Sequence, residues 1–305
     1  MDTTQKIQAV LNQLNTVMAG KPQQVRDGVA CLLAGGHLLI EDMPGVGKTT
    51  LAHALARTFG LQFSRVQFTA DLMPSDLSGV SVYHREQEKF VFHPGPMFAQ
   101  VLLADEINRA SPKTQSALLE AMEEKQVSVE GATRLLPQPF FVIATQNPHD
   151  QLGTYALPDS QLDRFLMRIS LGYPERAAER ELLAGHNRRD MLQTLPAVLN
   201  AADLAALQRA VAQVHVAPPL LDYVQNLIAA TRSGRWFLHG LSPRAGIALV
   251  RAARAQALLN GRDYAAPDDV QAILPQCAAH RMTPVSNAGR GAVEQVRAMI
   301  DAVEI

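Results

Sequence analysis

The sequence predicts an α/β domain followed by a smaller helical domain, and three observations support this prediction. A glycine-rich turn separates an apolar, strand-like run from a helical pattern. Short apolar runs then alternate with helical patterns up to about residue 172, an alternation typical of a sheet covered by helices. Beyond Tyr173-Pro174 the 305-residue chain reads almost wholly helical and rich in alanine. We therefore expect an α/β domain over residues 1–173 and a helical domain over 174–305.

Five short apolar runs predict the strands of the sheet. Residues 101–104 and 140–144 are apolar at every position, as central strands of a parallel sheet are, because both of their faces are covered. The turn opens a predicted helix over 49–59, and another is predicted over 113–124. The five predicted strands are 37–40, 63–68, 101–104, 140–144 and 167–170.

Two segments of the α/β part are predicted to project from the sheet as contact surfaces. Residues 70–100 carry several prolines and glycines around short strand-like pieces, and residues 127–136 alternate around Gly131 as a β-hairpin does. In the second part, the pair Ser242-Pro243 is typical of a helix start. The predicted helices of this part are 174–189, 201–214, 219–233, 242–260 and 267–279.

Composition favours an ordinary globular protein. Hydrophobic residues make up 47% and charged residues 19%, and the formal net charge of -1 gives no overall attraction to nucleic acid or anionic membranes. No apolar run approaches the ~20 residues that a membrane-spanning helix needs, and the polar N-terminal segment has no apolar signal core. Cys31 and Cys277 lack metal-ligand spacing. These observations favour a cytoplasmic location.

A glycine-rich loop predicts a site for a nucleoside triphosphate. Its glycines let the backbone curl so that N–H groups point at phosphate oxygens. Lys48 can then reach the β- and γ-phosphates, and the Thr49 hydroxyl can bind Mg²⁺. Asp42 stands where the pattern G-x-x-x-x-G-K-[ST] has its first glycine. The predicted nucleotide-binding residues are Pro44, Gly45, Val46, Gly47, Lys48, Thr49 and Thr50.

An acidic pair follows the predicted strand 101–104. Strand ends of an open α/β sheet are where ligands bind, so Asp105 is a candidate Mg²⁺ ligand, and Glu106 is a candidate to orient the water that attacks the γ-phosphorus. The alternative is that the two acids only cap the next helix, since Asp and Glu favour helix starts.

Three further polar residues are candidates for the same site. Asn147, after the strand 140–144, can hold the attacking water; alternatively it belongs to an ordinary Asn-Pro turn. Arg164 can recognise a γ-phosphate, or it pairs with Asp163 at the surface. Arg244 can fold over the nucleotide, or it is a first-turn arginine in solvent.

Together these motifs resemble the MoxR branch of the AAA+ ATPases over nearly the whole chain. An acidic residue at the Asp42 position is familiar within this branch. The motifs, in order, are EDMPGVGKT, LLADEINRA, IATQNP, LPDSQLDRF and LSPRA, followed by ALLNGRDYAAPDDV. The resemblance implies a P-loop αβα sandwich with a five-stranded parallel sheet, then an α-helical lid, with ATP and Mg²⁺ at their junction.

The resemblance also implies a role for each candidate residue. It assigns Lys48 and Thr49 to Walker A, Asp105 and Glu106 to Walker B, Asn147 to sensor 1, Arg164 to the arginine finger and Arg244 to sensor 2. It implies a hexameric ring in which Arg164 reaches the neighbour's ATP, while Arg244 acts on either its own or the neighbour's site. Residues 70–100 resemble the helix-2 insert, and 127–136 the pre-sensor-1 hairpin.

The function implied by the resemblance is that of an ATP-driven, chaperone-like motor. Such proteins remodel or mature protein complexes together with a von Willebrand factor A-domain partner, sometimes during metal-cofactor insertion. One alternative is a motor acting on nucleic acid, but the 127–136 segment carries only Glu130 and Arg134 as charges, which grip phosphates poorly. The other alternative is a nucleotide-gated switch with little turnover, against which the acidic pair and Asn147 argue.

Overall fold

The computed structural model describes residues 2–148, 153–183, 188–285 and 291–305. Its centre is a parallel sheet of five strands in the order β2-β5-β8-β1-β9, and two antiparallel hairpins accompany it. The strands are β1 (Leu38–Glu41), β2 (Phe63–Gln67), β3 (Gly79–His84), β4 (Lys89–Pro94), β5 (Val101–Asp105), β6 (Gln126–Val129), β7 (Ala132–Leu135), β8 (Phe141–Gln146) and β9 (Met167–Ile169).

The five predicted strands of the sheet are confirmed, with ends that differ by at most two residues. β5 and β8 are buried along their length apart from the last residue of β8, because they have a strand on each side and a hydrophobic core on each face. Ile143 of β8 is in register with Leu103 on one side and Leu38 on the other. The carboxyl ends of β1, β5 and β8 therefore meet at one edge of the sheet.

Helices of the α/β part cover both faces of the sheet. α1 begins with a capping box between Asp2 and Gln5, and α2 has a proline in its first turn. The predicted helices 49–59 and 113–124 are confirmed as α3 and α5, each beginning one residue earlier. In chain order the helices of this part are α1 (Thr3–Val17), α2 (Pro22–Leu33), α3 (Lys48–Thr58), α4 (Pro74–Ser78), α5 (Pro112–Glu124) and α6 (Asp159–Leu162).

The chain after Tyr173 is helical, as predicted. Two helices occur where one was predicted over 174–189. Residues 184–187, between these two helices, lie outside the described residues. A last helix, near the C-terminus, had no predicted bounds. These helices are α7 (Arg176–Leu183), α8 (Arg188–Thr194), α9 (Ala201–Gln213), α10 (Pro218–Arg232), α11 (Pro243–Leu259), α12 (Pro267–Ala278) and α13 (Ala292–Ile300).

Two hydrophobic cores lie on opposite faces of the sheet. Successive residues of a strand point to opposite faces of the sheet. Leu38 of β1 and Leu103 of β5 therefore lie in one core, whereas Leu39 and Leu102 lie in the other. The larger core joins α1, α2 and α3 to the helices that follow residue 200. Hydrophobic packing is thus continuous from the α/β part into the helical part, while the domain boundary near Tyr173 stays a prediction.

The two segments expected to project do form hairpins. β3 pairs with β4, and β6 pairs with β7 around Gly131. The guanidinium of Arg134 lies 3.7 Å from the ring centroid of Phe92, so a cation–π contact joins the two hairpins. Tyr83 and Phe90 near the first turn are exposed. Across the described ranges, none of the helices has the length and apolar content of a membrane span.

Candidate functional site

The phosphate loop connects β1 to α3 and leaves room for a ligand. Gly45 and Gly47 have φ angles of +86° and +102°, which L side chains rarely adopt, and Gly47 caps α3 in this left-handed conformation. A Cβ on Gly45 would meet no heavy atom within 4 Å, so the space above the loop is open. The Lys48 ammonium donates to the backbone carbonyl of Asp42 at 2.6 Å.

A cavity of about 660 Å³ lies against this loop and contains most of the predicted nucleotide residues. Val46 is the exception, because its side chain packs on the hydrophobic core and leaves only its backbone for a nucleotide. The predicted residues that line the cavity are Pro44, Gly45 and Gly47 of the loop, Lys48, Thr49 and Thr50 of the first turn of α3, Asp105 at the end of β5 and Glu106 just after it.

The donor set of this cavity fits ATP with Mg²⁺. Glycines permit close approach to phosphate oxygens, and the lysine supplies a cation for them. Hydroxyl and carboxylate oxygens, which Thr49 and Asp105 offer, are the ligands that Mg²⁺ prefers. A triphosphate on the loop would thus have a cation on one side and the two acids on the other.

Asp42 has a structural role that the loop pattern does not suggest. Its carboxylate accepts from the backbone N–H of Gly172 at 2.6 Å, the hydroxyl of Ser170 at 2.9 Å and the N–H of Met43 at 2.8 Å. Partial burial raises the pKa of this carboxyl, but the hydrogen bonds outweigh it and lower the pKa overall. The loop is therefore anchored to the chain that leaves β9. Lys21 donates to the carbonyls of residues 171–173 of the same segment.

Asp105 and Glu106 are held by a network around Thr145. The buried Thr145 hydroxyl donates to Asp105 Oδ1 at 2.6 Å and accepts from the backbone N–H of Glu106 at 2.9 Å. Glu106 has a φ of +56°, an uncommon conformation for a residue with a side chain. By position, Glu106 precedes a short 3₁₀ turn at Ile107–Arg109, but its side chain makes no cap bond there, and Ser111 caps α5; capping is therefore not what holds the side chain of Glu106.

Side chains that the sequence did not single out contact both acids. Arg65 of β2 donates to Asp105 Oδ2 at 2.7 and 3.2 Å. Gln67, two residues later on the same strand, donates to Glu106 Oε2 at 2.7 Å, and Arg109 Nε lies 2.8 Å from that oxygen. The available signal was the pair of polar residues at alternate positions of the predicted strand 63–68. Their partners depend on the register, which puts Gln67 opposite Asp105.

Asn147 lies at the tip of β8, between the strands that carry the loop and the acids. It is buried and lines a smaller cavity of about 210 Å³ with Asn108 and Pro148, rather than the phosphate-loop cavity. The sheet order brings Asn147 to the correct edge, but its side chain is not among the groups that line the cavity of the loop.

Arg164 and Arg244 lie together, but away from the phosphate loop. Arg244 forms an ion pair with Glu123 at the end of α5, and Arg164 Nε lies 3.9 Å from the same carboxylate. Both arginines line a second cavity of about 390 Å³, and neither lines the cavity of the loop. Asp163 pairs with Arg281 rather than with Arg164, so the alternative of an Asp163–Arg164 surface pair is not formed.

Comparisons with known proteins agree with this geometry. Residues 37–167 match the family described as ATPase family associated with various cellular activities (AAA), and residues 229–301 match the AAA lid domain. The chain is 46% identical to the uncharacterized protein YeaC of Bacillus subtilis, over 97% of this chain and 93% of that protein. It is 41% identical to Chaperone MoxR1 of Mycobacterium tuberculosis, over 90% of this chain and 75% of that protein.

A solved structure from Cytophaga hutchinsonii, described as that of a candidate ATPase, superposes with a TM-score of 0.90 at 35% identity. The match covers 99% of this chain and 96% of that one, so it includes both the sheet and the helical part. The fold, the phosphate loop with its acidic pair, and relatives this similar over most of their length lead to one conclusion: the protein belongs to the MoxR family of AAA+ ATPases.

Proposed function

We propose that this protein is an ATP-hydrolysing, chaperone-like motor whose catalytic site is completed by the neighbouring subunit of a homo-hexameric ring. The observation that carries the proposal is the separation of its charged groups. Lys48, Asp105 and Glu106 surround one cavity, whereas Arg164 and Arg244 surround another. Because neither arginine lines the cavity of its own loop, the γ-phosphate on which they act is proposed to be that of a second copy.

In this arrangement the bound nucleotide lies between two subunits. Lys48 and the loop N–H groups hold its phosphates, and Mg²⁺, when bound by Thr49 and Asp105, neutralises the charge that develops during phosphoryl transfer. Glu106, fixed by its own backbone bond to Thr145, orients the attacking water and accepts its proton. Asn147 is proposed to approach this water from the adjacent strand.

The neighbour supplies the remaining positive charge. Arg164 and Arg244 of that subunit contact the γ-phosphate, and we assign Arg244 to the trans position because it pairs with Glu123 beside Arg164. An arginine finger is worth roughly 10³–10⁵ in rate in characterised systems. A lone subunit should therefore hydrolyse ATP slowly, and the hydrolysis rate per subunit should rise with protein concentration.

The work that hydrolysis drives is proposed to be the remodelling or maturation of protein complexes in the cytoplasm. Similarity to a relative named a chaperone supports this. A von Willebrand factor A-domain partner, and a role in metal-cofactor insertion, follow from the resemblance to the MoxR branch. Rotation of the helical lid about Tyr173-Pro174 would move the segments 70–100 and 127–136, which we propose as the helix-2 insert and the pre-sensor-1 hairpin.

Mixing two inactive variants tests the shared site. Lys48→Ala removes the phosphate lysine, and Arg164→Ala removes the proposed finger, so each alone should be nearly inactive. In a mixture, an intact loop of one variant can meet an intact arginine of the other, and ATPase activity should return. Failure of the mixture to recover activity, with both variants folded and assembled, would overturn the shared site.

The reaction itself is tested by Glu106→Gln, which should bind ATP but hydrolyse it at least a hundredfold more slowly, since general-base catalysis contributes roughly 10²–10⁴. Equal rates for the variant and the wild type would leave a nucleotide-gated switch as the better description. Stimulation of hydrolysis by DNA that falls steeply with salt would favour the nucleic-acid motor instead. The Glu106→Gln protein, held in its ATP state, is also the form to use for co-purifying the client and the partner.

A further inference from the structure

The cavity that holds Arg164 and Arg244 carries more positive charge than that pair alone provides. Five cationic side chains line it, against two acidic ones, Glu123 and Asp163. Both acids are already engaged, Glu123 with Arg244 and Asp163 with Arg281. The cationic side chains are Lys125, Arg164, Arg244, Arg251 and Arg281.

Arg281 is the least expected of these residues, because it is a buried cation with an unused donor. Its side chain is 5% exposed. Nη2 donates to the carbonyl of Phe165 at 2.7 Å, and Nε lies 3.3 Å from Asp163 Oδ1. Nη1 is buried and has no hydrogen-bond partner within the part of the chain that the structure describes, and Nε, although close to Asp163, makes no hydrogen bond either. A buried donor left unpaired is costly, and one that belongs to a charged group is more so.

The charges around Arg281 make an anion favourable at this point. Burial lowers the pKa of its guanidinium, and the positive charges of Arg244 and Arg251 lower it further. An anion in the cavity would relieve the repulsion among these arginines and accept from the unused Nη1. Arg251 is exposed and also lines the cavity, so it can add a second fork of donors.

We propose that this cavity is a phosphoryl-binding site in which Arg281 and Arg251 act together with Arg164 and Arg244. A tetrahedral oxyanion offers acceptors in several directions, which suits guanidinium groups that converge from α11 and from the turn after α12. A volume of about 390 Å³ admits such a group. The source is either the neighbour's nucleotide, in which case the inference rests on the proposed ring, or a free phosphate compound.

Pyrophosphate binding by the Lys48→Ala protein, at a concentration where it is monomeric, tests the cavity directly. The loop is then disabled, so remaining binding reports the second cavity. Arg281→Met, which keeps the side-chain volume, should weaken pyrophosphate about tenfold, as loss of a charged hydrogen bond predicts. Arg251→Met should weaken it about threefold, and because Arg251 is exposed this variant remains informative even if Arg281→Met fails to fold. Arg209→Met, at an exposed position of α9, is the matched control and should change nothing.

A second arm identifies the source of the phosphoryl group. If the neighbour's nucleotide supplies the phosphoryl group, the Arg281→Met variant should have low ATPase activity, and this activity should recover on mixing with the Lys48→Ala variant. This result is expected even where isolated subunits bind no pyrophosphate. Unchanged pyrophosphate affinity in Arg281→Met and Arg251→Met, with wild-type ATPase rates, overturns the site. Equal binding of malonate, a dianion without a phosphoryl group, overturns its chemical class. The direct binding arm needs no hydrolysis, so its result stands even if the proposed motor function fails.

Discussion

The carboxylate of Asp42 and the backbone N–H of Gly172 are joined by a hydrogen bond of 2.6 Å, although 130 positions separate the two residues. One residue belongs to the phosphate loop, and the other belongs to the chain that leads from β9 to the helical part. The tyrosine that follows Gly172 also contacts the loop, since its hydroxyl lies 3.1 Å from Met43 Sδ. The conformation of the loop is therefore tied to the point at which the chain leaves the sheet.

Replacing Asp42 by alanine should weaken both folding and nucleotide binding. Gly172 N–H and the Ser170 hydroxyl would lose their acceptor; neither is fully buried, so each lost hydrogen bond costs about 1 kcal/mol. We expect the free energy of unfolding in urea to fall by about 2 kcal/mol and the KM for ATP to rise. Ser170→Ala is the control, because it removes one bond only and should cost about 1 kcal/mol. Identical urea midpoints for Asp42→Ala and the wild type would contradict the anchoring role.

Replacing Thr145 by valine should show how far the acidic pair depends on the hydroxyl of residue 145, because the shape of the side chain is kept. Valine has the same shape, but it leaves Asp105 Oδ1 and the Glu106 N–H without their shared partner. We expect kcat for ATP to fall about tenfold or more and stability to fall by about 2 kcal/mol, since a part-buried donor and a buried acceptor both lose their partner. Thr145→Ser keeps the hydroxyl and should retain most of the activity. Equal kcat values for the two variants would rule out this role.

Two glycine-to-alanine changes should have opposite effects. A Cβ on Gly36 would lie 2.3 Å from Leu166 Cβ, so Gly36→Ala must displace the start of β9 and should cost about 1–3 kcal/mol. A Cβ on Gly28, within α2, would meet Leu55 Cδ1 at an ordinary 3.6 Å. Gly28→Ala should therefore stabilise by about 0.5–1 kcal/mol, because alanine loses less backbone entropy in a helix. Thermal melting of both variants measures the difference, and destabilisation by both changes would contradict it.

Acid should destabilise the protein partly through His37. This buried ring is neutral and uses both nitrogens: Nδ1 accepts from the N–H of Val142, and Nε2 donates to the carbonyl of Met122. Burial lowers its pKa from 6.5 to about 4. Between those pH values the unfolded chain binds a proton that the folded chain does not, so stability is lost as the pH falls from 6.5 toward 4. The loss from this one group is up to about 3 kcal/mol.

The His37→Gln variant measures that contribution, because glutamine also offers one donor and one acceptor. Urea denaturation at pH 7, 5.5 and 4.5 should show a shallower loss of stability for the variant than for the wild type. Burial also lowers the pKa of His280, so His280 adds to the loss of stability at low pH. Burial raises the pKa of Asp27 to about 6, so protonation of Asp27 favours the folded state as the pH falls. The His37→Gln variant and the wild type are therefore compared at each pH. Parallel stability curves would show that His37 does not titrate in this way.

Much of the site was predictable from the sequence because its motifs follow strands. The acids come directly after an apolar run, and Asn147 comes just beyond another, so a parallel sheet brings them to one edge whatever the details of packing. The phosphate loop was equally predictable, since a strand, a glycine turn and a helix are contiguous in the chain. These elements depend on local pattern alone.

The contacts that position the site depend on distant pairing, which a local pattern does not contain. Arg65 meets Asp105 through the register of β2 with β5, and Asp42 meets Ser170 through the position of β9. Burial of Lys21 against the carbonyls of residues 171–173 similarly requires the tertiary fold. The motifs also gave no indication that Arg164 and Arg244 would share Glu123.

The position of β8 between β5 and β1 has a consequence for biosynthesis. A nascent chain that has emerged only as far as residue 136 already carries the phosphate loop and both acids. Within the central sheet, however, its strands can pair only as β2 with β5, because β8, the strand that bridges β5 to β1, has not appeared. Nucleotide can therefore stabilise only molecules in which this late strand has inserted. ATP binding would then act as a checkpoint that selects completed subunits from partly made ones.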